Sequence, residues 1–381
     1  MVTPRYAPHL GGVESHVSAL APRIAAAGHT VEVLTQEVGG PDGTPQVLGE
    51  GLTVRRFPAL GWDTPYTQSP TLWRFLHSEM GTYDLVHAHS YHATPALAVA
   101  LAGCRRMVFT PHYNGPGHSN STHLAHLAYR PLGRLITRRA RRIICVSRAE
   151  ADLLVGHFPR ARDRITVIPN GVDQEGLNAE AWPSQPPTVL CVGRLEPYKN
   201  VGLVIQAMRH LPGEIRLVVV GDGPLRHRLE RLAQETGTSQ RVTLLGSVPR
   251  GILVRWIRTA TVQVSMSAHE AFGITVLEAL AAGTPVVASD IPAHREFLSK
   301  APAGSLTLVP ENATPEVLAT ALRAAVARGP VGAMAGTNWD AVAELTMQVY
   351  FEVAGPWPGA DRSPSAAGES SSDLSTGVRH L

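Results

Sequence analysis

Lysine is almost missing from this sequence: Lys199 and Lys300 stand against 32 arginines in 381 residues. The bias reflects a GC-rich genome more than an activity, but it makes a lysine inside a motif conspicuous. Cysteine is scarce too. Cys104, Cys145 and Cys191 are odd in number, far apart and set in apolar surroundings. They exclude a disulfide framework or a metal knuckle and fit a reducing compartment with buried thiols. No secretory leader is visible, and the longest apolar run, around 93–104, is too short to span a bilayer. Charged residues make up only 17%, and a net charge of +3 is no nucleic-acid signature. The expectation is a cytoplasmic protein, in solution or peripheral at the inner face of the membrane. What is abundant is apolar residue, 44% of the chain, enough for two buried cores at a length that favours two domains.

The first half alternates β-branched runs with helical segments. Strands are expected at 30–35, 84–89, 106–110, 142–147 and 165–170, and helices at 13–27, 70–80, 93–102, 122–140 and 148–155. Such alternation implies a parallel sheet covered on both faces. Residues 173–187 lose the periodicity and read as a linker. The alternation then restarts, with strands at 188–193, 215–221, 242–246, 262–266 and 285–289 and helices between them, followed by a helix at 315–328. The expected units are therefore 1–172, 188–337 and an amphipathic helix at 338–355, with a stripe through Trp339, Val342, Leu345, Val349 and Phe351. A polar Pro/Ser/Gly-rich tail over 356–381 reads as disordered. The opening "MVT" reads as the end of a first strand lacking some four residues, so either the true start lies upstream of Met1 or that strand is truncated.

Four turns carry the chemistry. In "SAHEAFGITVLEALAAGTPVVASD", a strand ends, a loop holds Glu270, and a helix begins at Gly273 with Glu278 inside it. Ligands of open α/β sheets bind at the carboxyl ends of strands, and the amides of Gly273, Ile274 and Thr275 form an anion site. Carboxylates on either side would suit the hydroxyls of a sugar nucleotide. The competing assignment makes Glu270 a dipole partner and Glu278 a solvated helix residue. In "VGRLEPYKN", Arg194 and Lys199 lie five apart in a βα turn and can converge on one phosphate pair. The turns "VVVGDGPL", with Gly223, and "HLGGVESHV", with Gly11 and Gly12, are weaker, since glycines there can serve backbone geometry alone.

Seven histidines, including His87, His89, His112 and His118, fall within forty residues. His87 and His89 have a metal-like spacing but no acidic third ligand near them in sequence, so no metal site is expected. His112 ends a strand and should reach an interdomain cleft, either as a functional or as a structural histidine. The six arginines of "YRPLGRLITRRARR" are a solvated helix face or a contact for anionic lipid or a phosphorylated acceptor.

Taken in order, "GGVESHV", "DLVHAHS", "FTPHYNG", "CVSRAEADLL", "VIPNGVD", "VGRLEPYKN", "GDGP" and "HEAFGITVLEALAAGTPVVASD" resemble the motifs of the retaining family-4 glycosyltransferases of the GT-B fold, over about residues 2–355. The resemblance implies two Rossmann-like doubly wound domains facing a cleft, with the last helix crossing back onto the first domain. It implies transfer of a hexose from a UDP- or GDP-sugar to an acceptor hydroxyl. The acceptor could be lipid-linked, a polysaccharide or a small molecule, and neither metal nor other cofactor is needed. By position, Arg194 and Lys199 would neutralise the diphosphate and Glu278 would take the ribose. Glu270 would hold the hexose, and Gly223, Phe272, Gly273, Ile274 and Thr275 would complete the donor site. Gly11, Gly12 and His16 would approach the phosphate or the acceptor, and His112 would lie near the transferred sugar. Front-face displacement is the implied chemistry, with Glu270 positioning the sugar rather than acting as general base. The alternatives are a non-catalytic sugar-nucleotide-binding subunit and a sugar-nucleotide epimerase of similar fold. A nicotinamide oxidoreductase fails because neither half carries a full G-x-G-x-x-G with a later ribose acid.

Overall fold

The computed structural model describes residues 1–9, 11–61, 67–115, 120–173, 176–177 and 179–355, with the helical path alone given for 120–128. His118 and the tail from 356 lie outside the described residues. The N-terminal half contains β1 (Val31–Val38), β2 (Pro45–Gly49), β3 (Leu52–Ala59), β4 (Val86–His89), β5 (Met107–Thr110), β6 (Arg142–Cys145) and β7 (Ile165–Val167). Its helices are α1 (Gly12–Ala26), α2 (Pro70–Glu79), α3 (Thr94–Leu101), α4 (Asn120–Arg139) and α5 (Arg148–His157). Two groups of strands, β2-β3-β1 and β4-β5-β6-β7, are joined through residues 1–3. Val2 bridges in parallel to Leu34 and Ala88, donating its N–H to His87 O and accepting from His89 N, both at 2.8 Å. "MVT" thus fills the central sheet position. The β2–β3 hairpin was not expected: β2 is exposed throughout, and β3 carries two arginines and a proline.

The C-terminal half contains β8 (Thr188–Val192), β9 (Arg216–Val220), β10 (Val242–Gly246), β11 (Val262–Ser265), β12 (Val286–Ser289) and β13 (Leu306–Val309). Its helices are α6 (Val201–Ala207), α7 (Arg226–Glu235), α8 (Arg250–Thr259), α9 (Ile274–Ala281), α10 (Pro292–Arg295), α11 (Pro315–Arg328) and α12 (Trp339–Ala354). All six strands are parallel in the order β10-β9-β8-β11-β12-β13. This is the doubly wound dinucleotide-fold order, and chain direction reverses between β8 and β11, where such sheets bind ligands. The loops that carry Lys199 and Glu270 leave these two strands. The edge strand β13 was not among the expected strands.

Apolar cores lie on both faces of each sheet. The three cysteines are free and buried, as expected. Helix α12 crosses back and packs on α1: Trp339, Val342, Val349 and Tyr350 share a core with Val17, Leu20 and Ile24. The buried stripe differs from the expected one. Leu345 and Phe351 are exposed, and Ala343, Thr346 and Tyr350 face inward instead. Tyr350 turns inward because its hydroxyl meets His87 Nδ1 at 2.7 Å. The linker is anchored as well, with Leu177 in the C-terminal core and the Arg255 guanidinium 3.4 Å from the centroid of Trp182.

Candidate active site

Glycine shapes the turns that follow β8 and β11. Gly273 caps α9 with φ 96°, a left-handed conformation, and a Cβ there would press on His294 and Phe297. The first carbonyl of the helix, Gly273 O, accepts from Val276 and Leu277 N. The amides of Gly273, Ile274 and Thr275 therefore lie outside the helical ladder and carry the positive end of its dipole. The 194–200 turn is stitched alongside: Ala268 N donates to Tyr198 O at 2.8 Å, Asn200 Nδ2 donates to Met266 O at 3.0 Å, and the Tyr198 and His269 rings stack at 4.4 Å.

This stitching brings together two of the expected residues. Lys199 Nζ donates to Glu270 Oε1 at 2.5 Å, with both side chains largely buried. Burial opposes charge on each, and the partner's charge overrides it. Glu270 titrates below its ordinary range and Lys199 above its own, so both are ionised at neutral pH. Arg194 is nearly half exposed, with Nη1 3.9 Å from Glu196 Oε1; burial opposes its charge, and Tyr198, then Glu196 and Glu14 of α1, more than offset this and raise its pKa.

Glu278 is not a solvated helix residue. It is 8% exposed, and its Oε1 lies 2.7 Å from Nη1 of Arg250, at the start of α8. Burial raises its pKa, Arg250 counters that, and Asp173 adds to the rise. Arg250 was not anticipated, because the pair joins helices 28 positions apart with no spacing signal. Two of the expected donor-site residues also have a packing role. A Cβ on Gly223 would meet the backbone of Leu195 at 2.7–2.9 Å, so that glycine permits one turn to pack on another. Phe272 is buried against Phe297, with ring centroids 5.3 Å apart, and anchors the loop from within the core.

Across the cleft, Gly12 has open space where a Cβ would stand, whereas Gly11 has the Glu14 carboxylate there. His112 adopts φ 47°, a costly conformation for a side-chain-bearing residue and one that recurs at functional sites. Glu150 holds it there: its Oε1 accepts from Tyr113 N at 2.5 Å and its Oε2 from Val146 N at 2.6 Å. Burial raises the pKa of Glu150 to about 8. His16 Nδ1 is 2.7 Å from Asn170 Oδ1, and its ring meets that of His112 at 5.0 Å. A cavity of about 110 Å³ opens between the halves, lined by Tyr113, Asn114 and Glu150 on one side and by His269 and Glu270 on the other. The residue after His112 and the Glu270 carboxylate therefore face one space.

The Arg-rich end of α4 lies elsewhere. Arg164 donates to the carbonyls of Thr137 and Ala140, closing the helix end, and with Arg134, Arg138 and Arg160 it lines a cavity of about 390 Å³. Among the described residues no helix is long and apolar enough to cross a membrane.

The comparisons agree with this architecture. The model described as Glycosyltransferase Family 4 matches residues 10–175, and the one described as Glycosyl transferases group 1 matches 173–336. The chain is 28% identical to D-inositol 3-phosphate glycosyltransferase of Frankia alni, across 91% of this chain and 95% of that one. Sucrose-phosphate synthase from Thermosynechococcus elongatus superposes with TM-score 0.71 at 23% identity, covering 92% and 98% of the two chains. HepE of Anabaena, in complex with UDP-glucose, superposes with TM-score 0.66 at 20% identity, covering 92% and 99%. The two matched regions run without a gap through both domains and across the cleft between them, and this chain is a glycosyltransferase that belongs to the family-4, group 1 enzymes of the GT-B fold.

Proposed function

We propose that the enzyme moves a hexose from a UDP- or GDP-sugar to an acceptor hydroxyl with retention at the anomeric carbon. The observation that carries this reading is the Lys199–Glu270 pair at the start of α9, on the cavity wall facing the His112 loop. Donor binding gives Lys199 a new partner in the diphosphate, joined by Arg194 and the first amides of α9. It frees Glu270 to accept hydrogen bonds from hexose hydroxyls. Glu278 receives the ribose. The acceptor oxygen attacks C1 on the face from which the bond to the β-phosphate oxygen breaks, and that departing oxygen takes the acceptor proton. Cationic side chains and helix amides stabilise the leaving charge, so this chemistry needs no metal or other cofactor.

The acceptor to try first is a phosphorylated polyol, after the inositol phosphate in the name of a relative whose match covers 91% of this chain. The arginine-lined cavity beside α4 supports an anionic acceptor or carrier, including one presented at the inner face of a membrane. The test is to incubate the enzyme with UDP- and GDP-hexoses and inositol phosphate, follow nucleoside diphosphate release, and read the product's anomeric configuration by NMR. Inversion at C1 would refute the proposed displacement. Absence of diphosphate release from every donor would refute the donor class.

A further inference from the structure

Three histidines that the sequence scatters over 97 positions converge in the N-terminal domain. His16 comes from α1, His89 from the end of β4, and His112 from the loop after β5, and their ligand atoms all lie within 4.8 Å of one another. The rings are 5.0, 5.5 and 5.8 Å apart between centroids. His16 Nδ1 contacts Asn170 Oδ1. An amide oxygen only accepts, so Nδ1 carries the proton and Nε2 presents a bare lone pair. Among the described residues, His16 Nε2, both ring nitrogens of His89 and His112 Nε2 are buried without a hydrogen-bond partner. Buried polar atoms are rarely left this way. His87, beside them, differs: its nitrogens are engaged by Tyr350 Oη at 2.7 Å and Thr110 Oγ1 at 2.8 Å. His87 is thus satisfied, whereas each of the three converging rings keeps at least one unmatched nitrogen.

We propose that His16, His89 and His112 form a binding site for one divalent transition-metal ion of the zinc type. Imidazole nitrogen suits zinc, cobalt and nickel rather than magnesium or calcium. Three histidines with a fourth position left to water are an established zinc arrangement. Asn170 supplies the outer hydrogen bond that fixes a ligating imidazole's tautomer and orientation. Bonds of about 2.0–2.1 Å put tetrahedral nitrogens about 3.3 Å apart, so the rings must draw in by roughly 1 Å. The spacing of His87 and His89 hinted at metal, but the third and fourth histidines were invisible as partners until α1 and the β5 loop were folded against β4. Metal binding is read without turnover, so the proposal does not rest on the proposed transfer reaction.

The test uses the tag-free full chain, stripped with a chelator, dialysed and titrated with Co²⁺ as a coloured probe. The expected result is one equivalent bound with the visible spectrum of a four-coordinate ion, displaced by Zn²⁺. X-ray absorption of the zinc form should show three imidazole nitrogens at about 2.0–2.1 Å. His89→Phe and His16→Gln should each weaken binding at least tenfold, while His227→Ala, at an exposed histidine, should not. Far-UV circular dichroism establishes which variants fold; if His89→Phe does not, His16→Gln and the wild-type absorption spectrum decide. No stoichiometric binding by the wild type, fewer than three imidazoles, or unchanged binding in a folded His16→Gln overturns the proposal in favour of a site that holds water only.

Discussion

At the scale of single residues, the turns after β8 and β11 are governed by ionised groups that pair with one another. The Lys199–Glu270 contact keeps two costly buried charges satisfied. Glu270→Gln retains shape and removes the negative charge, so Lys199 loses its counter-ion and the sugar loses a strong acceptor. We expect kcat to fall about 10²–10³-fold, the range seen when a preorganised electrostatic contact is removed, with circular dichroism unchanged. Near-normal turnover would show that Glu270 does not touch the reacting sugar. Arg250 makes a different prediction. It neutralises Glu278 in the absence of ligand, and a ribose would share or take over that carboxylate. Arg250→Ala should lower the stability of the free enzyme by about 1–2 kcal/mol, a value reduced because the arginine is half exposed. If ribose and Arg250 share Glu278, UDP or GDP should then raise the melting temperature more in the variant than in the wild type. Equal shifts would exclude that sharing.

At the scale of elements, the β5 loop and α5 act together through Glu150. The sequence "SRAE" has the form of a capping box, and Ser147 does cap α5, accepting from Glu150 N at 2.9 Å. The glutamate turns away from its usual local partner and instead fixes the amides of Val146 and Tyr113. Its pKa is raised by burial from an ordinary 4.5 to about 8, so the folded chain keeps a proton that the unfolded chain has lost. The resulting stability is full below about pH 4.5 and declines as pH rises through 8. Glu150→Gln should abolish this component of the alkaline decline in denaturant midpoints between pH 5 and 9. It also points an NH₂ at a backbone N–H, which costs about 1–3 kcal/mol and releases the strained His112. A variant with the wild-type pH profile would place the titration elsewhere. The capping signal was legible in the sequence and its use was not, because Tyr113 is 37 positions away from Glu150. Strands with continuous β-branched runs, such as β8 and β9, were read within a residue or two, whereas β2, β3 and β13, without such a run, were not.

At the scale of the whole molecule, the two-domain alternation and the positions of the ligand-bearing turns were legible because parallel strands and their helices repeat locally. The contacts that set one half against the other were not, since they join residues more than a hundred positions apart. Ser147 Oγ donates to Ala271 O at 2.5 Å, and Glu296, just after α10, accepts from the amides of Arg148 and Ala149 at 3.2 and 2.6 Å. A carboxylate from one domain thus caps a helix of the other, beside the cavity shared by Glu270 and the His112 loop. A cap of this kind is worth about 0.5–2 kcal/mol, enough to bias a hinge without holding the fold together. Glu296→Ala should therefore leave the melting temperature within a few degrees of the wild type and increase the radius of gyration measured by small-angle scattering, as the halves part. Turnover should drop about tenfold, the equivalent of 1.4 kcal/mol, with nucleotide affinity less affected because the donor turns lie within one domain. If scattering and turnover are both unchanged, the facing of Glu270 and His112 is maintained by α12 and the linker alone.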